Sequence, residues 1–421
     1  MQNQKQIIEE MMRGYAPLEE FSQNLRLRFR QRCKVGLLMF VIALYRTFVL
    51  PLRKRKTREL ETGLKRCTNL GIEVPRYALP CGTDTHFMDE EQIRDFEQNG
   101  MVRPFRVMDE TEAHALRKKM EQEFAQEFRG NLFIEGELAD TLREHDDLHI
   151  GMAGLYQALQ YKELREVLTA PPIAHRMASI LGPEVICWRS QFFKKGPGAD
   201  GTFWHQTGAF REVSKMEKLV PTKDISHGIL QLTAWVALSD VTVDTACLRI
   251  IPGSFQDGRI EFLQAYVQDN MIDYLARLPR KSLPRLIKAA LFSSGSFIRS
   301  QALFETIPII LKDIFWDRKV EDLEMKAGEA VIFTSMNLHA SYPNVSADRS
   351  RFAFAGRYTA NHVKVFPGMT HSYQGTPDGI KSFPLDRISS IQVYGKDSYG
   401  YNKIYPETGS EIRLEAPVAT P

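Results

Sequence analysis

The chain has 421 residues, 43% of them hydrophobic and 25% charged, with a formal net charge of +3 at pH 7. That composition is ordinary for a folded protein, so disorder is not the expectation, and the length suits one large catalytic domain with additions, or two domains. The five cysteines, Cys33, Cys67, Cys81, Cys187 and Cys247, show no CxxC or zinc-type Cys/His spacing, so they read as reduced thiols in a cytoplasmic setting rather than a disulfide framework.

The charge is unevenly spread. Residues 1–66 hold 15 Lys/Arg against 6 Asp/Glu, which leaves the remainder mildly acidic. A basic arm of this kind suits an anionic partner surface. No aromatic-interleaved basic stripe or nucleic-acid module accompanies it, so nucleic acid is not the expected partner. The most hydrophobic window runs from Lys34 to Leu52, between Arg26, Arg28, Arg30 and Arg32 on one side and Arg53-Lys54-Arg55-Lys56 on the other. Its position and the lack of a small-residue cleavage site argue against a signal peptide. Arg46 limits the apolar run to about 11 residues, short of the roughly 20 that a spanning helix needs. Two readings stay open: a helix lying in the interface at the inner face of a membrane, with residues 26–56 making the contact, or a helix packed on the catalytic domain or on itself.

Further along, Pro75 to Pro104 reads as loop, and charged helical patterns run through Asp109–Phe128 and Tyr156–Leu168. Apolar-polar alternation predicts strands at Val185–Phe193, Leu230–Leu238, Cys247–Ile251, Glu329–Thr334 and Arg351–Tyr358. Short strands with Gly/Pro turns after a helical lead-in suggest a mainly β fold with helical additions, a double-stranded β-helix of the jelly-roll or cupin-like kind. The expected division is an N-terminal helical arm over 1–74 and a catalytic domain over 75–421. A helical insertion interrupts the strands at about 255–321, rich in Leu, Ile and Phe and punctuated by Arg277, Arg280, Lys281, Arg285 and Lys288. Insertions of that length serve as lids or binding elements, and plain packing against the barrel is an equal reading.

Gly201-Thr202-Phe203-Trp204-His205-Gln206-Thr207 carries the chemistry. Non-haem iron sites use two histidines and one carboxylate and leave the remaining positions open. Thr207 stands where an aspartate would follow the first histidine by two residues. With His205 as a ligand, one position lacks its usual protein anion, and chloride is the obvious external candidate. The second half lies in Leu338-His339-Ala340-Ser341-Tyr342-Pro343, followed by Arg349, Arg351 and Arg357. A second imidazole completes the pair, and a guanidinium one strand beyond it suits a dicarboxylate. His145, His149 and His227 are other histidines to consider as ligands, and Asp200 and Glu212 are other carboxylates, but none has the matching offset. Hydrolase elbows, phosphate loops and dinucleotide fingerprints do not occur.

The sequence resembles the phytanoyl-CoA dioxygenase superfamily, and within it the Fe(II)/2-oxoglutarate-dependent chlorinating enzymes. The resemblance rests on Gln92–Gly100, Cys187–Phe193, Gly201–Gln206, Thr233–Asp240, Cys247–Ser254, His339–Pro343 and Gly356–Tyr358. It implies His205 and His339 as iron ligands, Arg351 as the grip on the distal carboxylate of 2-oxoglutarate, Thr233 and Trp235 on a strand lining the pocket, and Arg357 near halide and co-substrate. It implies Fe(II), 2-oxoglutarate, O₂ and chloride as cofactors. The activity it implies is chlorination of an unactivated aliphatic carbon in natural-product biosynthesis, on an acyl or aminoacyl group that is free or tethered to a carrier protein. Thr207 departs from the pattern, since such halogenases carry Ala or Gly there and hydroxylases carry Asp. Hydroxylation therefore stays open as an alternative, as does a catalytically silent membrane-bound binding protein.

Overall fold

A computed structural model describes residues 37, 39–78, 86–125, 155–207, 217–278, 310, 313–314, 318–376, 379–386 and 388–405. In chain order its strands are β1 (Met101–Arg106), β2 (Val185–Lys195), β3 (Thr202–His205), β4 (Leu219–Pro221), β5 (Leu232–Ala237), β6 (Leu248–Ile250) and β7 (Glu321–Leu323). They continue as β8 (Glu329–Thr334), β9 (His339–Ser341), β10 (Arg351–Ala360), β11 (Val363–Val365), β12 (His371–Thr376), β13 (Gly379–Pro384) and β14 (Ile391–Tyr394). A six-stranded sheet has the order β1-β8-β5-β10-β2-β14, and a four-stranded sheet the order β3-β9-β6-β7. Every pairing between these strands is antiparallel.

Alternation along each strand decides what lies between the two sheets. Trp235, Ala237, Val331, Phe333, Ala353 and Ala355 of the large sheet pack with Leu248, Ile250 and Leu323 of the small one. Their neighbours of opposite parity, among them Leu232, Val236, Ile332, Phe352 and Phe354, form the outer core under helices Lys162–Thr169 and Pro171–Leu181. The fold is therefore the expected one, a jelly roll with helical additions, and the strands expected from alternation are all present within one or two residues.

The segment expected to be loop over Pro75–Pro104 is the correction. It contains helix Glu90–Asn99 and the start of β1. Asp89 accepts from the Gln92 amide at 2.8 Å while Gln92 accepts from the Asp89 amide, a capping box that starts the helix, and Gly100 at φ +67° ends it. Only Ile93 and Phe96 of that helix are buried, too few to produce a clear period. Pro104 suggests a strand break, but β1 is an edge strand whose register shifts between Val102 and Phe105, where a missing N–H is tolerated.

A third apolar layer covers the outer face of the small sheet. Helix Arg259–Arg277, from the expected insertion, packs Ile260, Leu263, Val267 and Leu275 against Trp204, Leu338 and Ala340, and Ile42 and Leu60 join the same cluster. The N-terminal arm is thus seated on the insertion helix, through helix Lys54–Arg66 and the segment before it. Asp273, 2% exposed, accepts from Tyr45 at 3.3 Å, Tyr266 at 2.6 Å and Arg277 at 2.7 Å. Arg277 also donates to Thr57 at 3.1 Å. Residues 279–309 of the insertion lie outside the described residues.

Candidate active site

β3 and β9 pair so that His205 faces His339, with ring centroids 4.3 Å apart. Register explains how. Thr202 opposes Ser341 and His205 opposes His339, so three steps on β3 match two on β9. That extra residue is a bulge, and without it Thr202 and His205 would point to opposite faces. Gly201 allows the close approach, since a Cβ there would sit 2.8 Å from the Ser341 carbonyl.

His339 is 8% exposed, and its Nδ1 donates to the Asn337 carbonyl at 2.8 Å. That bond fixes the tautomer and leaves Nε2 as the lone pair available to a metal. Burial, and next the His205 imidazole, hold the His339 pKa well below the ordinary histidine value, so the ring is neutral as a ligand must be. Asn337 is itself fixed, its side-chain amide donating to the Asn99 and Gly100 carbonyls and its side-chain oxygen accepting from the Phe255 amide.

Thr207 follows as the chain leaves β3. Its amide donates to the Ser335 carbonyl at 2.8 Å and its carbonyl accepts from Gln231 at 3.1 Å, so the backbone is pinned. Its hydroxyl is buried and has no hydrogen-bond partner among the described residues. Among those residues no three His, Cys, Asp or Glu side chains converge to hold a metal ion. The two facing imidazoles suit a ferrous ion that takes its remaining ligands from elsewhere.

On the facing sheet, β10 sets Arg351 and Arg357 on the same inward parity as Ala353 and Ala355. Arg351 is 3% exposed, with its guanidinium 5.3 Å from the Trp235 ring centroid and no carboxylate partner among the described residues. Burial pushes its pKa down to about 10. Lys195, opposite Arg351 in register, is pushed down to about 8, by burial first and then by the Arg351 charge. Arg357 donates to Thr233 at 3.0 Å, and burial, then the Arg189 guanidinium, push it down to about 9. A buried guanidinium without a counter-ion is costly, and Arg351 has none among the described residues. The small side chains of Ala353 and Ala355 lie between the two arginines.

His205 and His339 therefore come together, and so do Arg351 with Trp235 and Arg357 with Thr233. His227 does not join them, sitting instead 2.5 Å from Glu261 on the surface. Asp200 is exposed, and its backbone carbonyl accepts from Lys195. His145, His149 and Glu212 lie outside the described residues. Two contributors are absent from the sequence reading. Arg189 opposes Arg357 in register, and the i, i+2 series Arg189, Gln191, Phe193 on β2 was the signal for it. The Asn337 carbonyl is a backbone group and leaves no trace in the sequence.

The family model described as phytanoyl-CoA dioxygenase matches residues 96–353, a stretch that contains His205, Thr207, Trp235, His339 and Arg351. The chain belongs to the phytanoyl-CoA dioxygenase family. As a phytanoyl-CoA dioxygenase family member it is a non-haem iron, 2-oxoglutarate-dependent enzyme. Arg357 falls four residues beyond the matched stretch. No curated protein sequence matches significantly. Among solved structures, "CytC3 with Fe(II) and alpha-ketoglutarate" is similar at 23% identity and TM-score 0.51, covering 76% of this chain and 94% of that one. "CytC3" alone is similar at 23% identity and TM-score 0.50, covering 76% and 93%. At that identity the likeness is one of fold, and the fold is that of the family.

Proposed function

We propose that this family member chlorinates an unactivated aliphatic carbon of an acyl or aminoacyl substrate, free or tethered to a carrier protein. The observation that carries the reading is Thr207. Its buried hydroxyl lacks an acceptor among the described residues and stands two positions after His205, where the resembling hydroxylases place an aspartate. A hydroxyl binds iron far more weakly than a carboxylate, and as a donor it suits a halide.

His205 and His339 would hold the iron. Bound iron, with 2-oxoglutarate and O₂, supplies the oxidising power that removes hydrogen from the substrate carbon. The chain does the rest. Arg351 grips the distal carboxylate of 2-oxoglutarate, with the Trp235 ring shielding the guanidinium from water. Thr233 holds Arg357 in place, which adds positive charge on the same wall. Thr207 orients the halide by donating its proton, and the apolar residues between the sheets exclude water from the reacting carbon.

Anaerobic titration of the Fe(II)/2-oxoglutarate protein with chloride tests the reading. The expected result is a chloride-dependent change in the absorption spectrum that Thr207→Asp removes and Thr207→Ala keeps. A spectrum indifferent to chloride and bromide, with purely hydroxylated product, would transfer the assignment to a hydroxylase. His205→Ala and His339→Ala should each abolish Fe(II)-dependent 2-oxoglutarate decarboxylation. Full-affinity iron binding in both variants would remove the ligand assignment.

A further inference from the structure

The segment from Leu37 to Leu52 has two unlike faces. Inward, Ile42 is 1% exposed, and Met39, Tyr45 and Leu50 pack on the same cluster as helix Arg259–Arg277. Arg46 also turns inward. Its guanidinium donates to the carbonyls of Ala276 at 2.7 Å and Leu278 at 2.6 Å, at the C-terminal end of that helix. A cation is favoured at a helix C-terminus, where carbonyls lack intrahelical partners. The charge that breaks the apolar run in the sequence is therefore absent from the outer face.

Outward stand Leu37, Phe40, Val41, Leu44, Phe48 and Leu52, exposed by 65%, 60%, 39%, 41%, 64% and 84%. Five other large hydrophobics are exposed among all the remaining described residues, so this is a contiguous stripe rather than ordinary scatter. At about 1.5 Å per residue it is roughly 24 Å long. Among the described residues no helix is long and apolar enough to cross a membrane.

Charge selects the occupant. No Asp or Glu occurs between Phe21 and Arg58, while that stretch holds eleven Lys and Arg. Arg53, Lys54, Arg55 and Arg58 are exposed directly beyond the stripe, and of the four only Arg55 meets a carboxylate among the described residues, that of Glu59. A second copy laid on this face would bring two such basic segments together, and like charges oppose that. An anionic surface with an apolar interior accommodates both features.

We propose that the outer face of residues 37–52 docks the enzyme on an anionic lipid bilayer. The stripe lies in the headgroup boundary, and Lys54 and Arg58 reach lipid phosphates. The catalytic barrel is held beside the membrane through the inner face of the same segment, without a spanning helix.

Flotation of the full-length protein with vesicles tests this. One set is phosphatidylcholine alone, and the other is equal parts phosphatidylcholine and phosphatidylglycerol. Wild type should float with the mixed vesicles at low salt and remain behind with phosphatidylcholine at high salt. Phe40→Glu with Phe48→Glu should weaken partitioning at least about a hundredfold, and Lys54→Glu with Arg58→Glu about fivefold or more per residue on the anionic vesicles. Circular dichroism and thermal unfolding matching wild type would show that these variants fold. If the Phe pair does not fold, Leu37→Gln with Leu52→Gln, at the two most exposed positions, takes its place. Wild type that stays out of the mixed vesicles, or variants that float as wild type does, would overturn the proposal. So would a wild-type dimer that the Phe substitutions convert to monomer without any vesicle binding, which would assign the face to a second copy.

Discussion

Arg351 and Asp273 are both buried charges, 3% and 2% exposed, yet they are treated in opposite ways. Asp273, in the helical layer, takes hydrogen bonds from Tyr45, Tyr266 and Arg277, so the protein answers that charge from its own residues. Arg351, inside the barrel, meets the face of Trp235 and the positive charge of Lys195, and no carboxylate among the described residues. The first arrangement holds two segments together. The second leaves a buried guanidinium without a carboxylate among the described residues, with the cost that an unanswered buried charge carries.

The contrast can be broken most severely at Asp273. Asp273→Ala leaves the half-buried Arg277 without its carboxylate and removes the acceptor for Tyr45 and Tyr266, and should cost about 1–3 kcal/mol of stability. Denaturant titration measures this, and a change in slope would show that the arm loosens alone. Arg351→Met should do the reverse, leaving stability of the 2-oxoglutarate-free protein unchanged or raised. Its 2-oxoglutarate affinity should fall by about tenfold or more, as expected for a lost charge-assisted contact of about 1.5–3 kcal/mol. If Arg357→Met produces that loss instead, the co-substrate lies further along β10.

Acid sharpens the comparison further. Burial acts to raise the Asp273 pKa, but hydrogen bonds from Arg277, Tyr266 and Tyr45 outweigh it, and the carboxyl lies below its ordinary value. Its stabilising contribution is therefore complete above the unfolded-state value and is lost only as pH falls through the lower folded one. Unfolding followed from neutral to strongly acidic pH should show this contribution disappearing below the usual aspartate range, and Asp273→Asn should lack it. The smallest effect belongs to Thr207→Val. Replacing a buried hydroxyl that has no partner among the described residues with a methyl group should change stability by no more than about 1 kcal/mol, while chloride affinity falls.

Much of this was legible in the sequence, for identifiable reasons. Strands β5, β8 and β10 each bury residues of opposite parity in two different cores, and β2 lies mostly in the outer one, so alternation and apolar richness marked them clearly. The meeting of His205 with His339 and the inward place of Arg351 were legible because side-chain chemistry and order carry the signal. Helix Glu90–Asn99 was not, because two buried residues do not make a period. Arg46 was misleading for a related reason: sequence shows a charge within an apolar run but not the carbonyls of Ala276 and Leu278, more than 200 residues away, that accept it. Arg189 could be placed beside Arg357 only once the β2 and β10 register was known.

The bulge between Thr202 and His205 makes the site depend on counting as well as on chemistry. Removing one residue from β3 would leave both imidazoles, the threonine and the arginines in the protein, yet would turn the first imidazole toward the outer helical layer. A graft of this site onto another barrel must therefore carry the extra residue with it. Residue identity alone does not encode the site; spacing is one of its components.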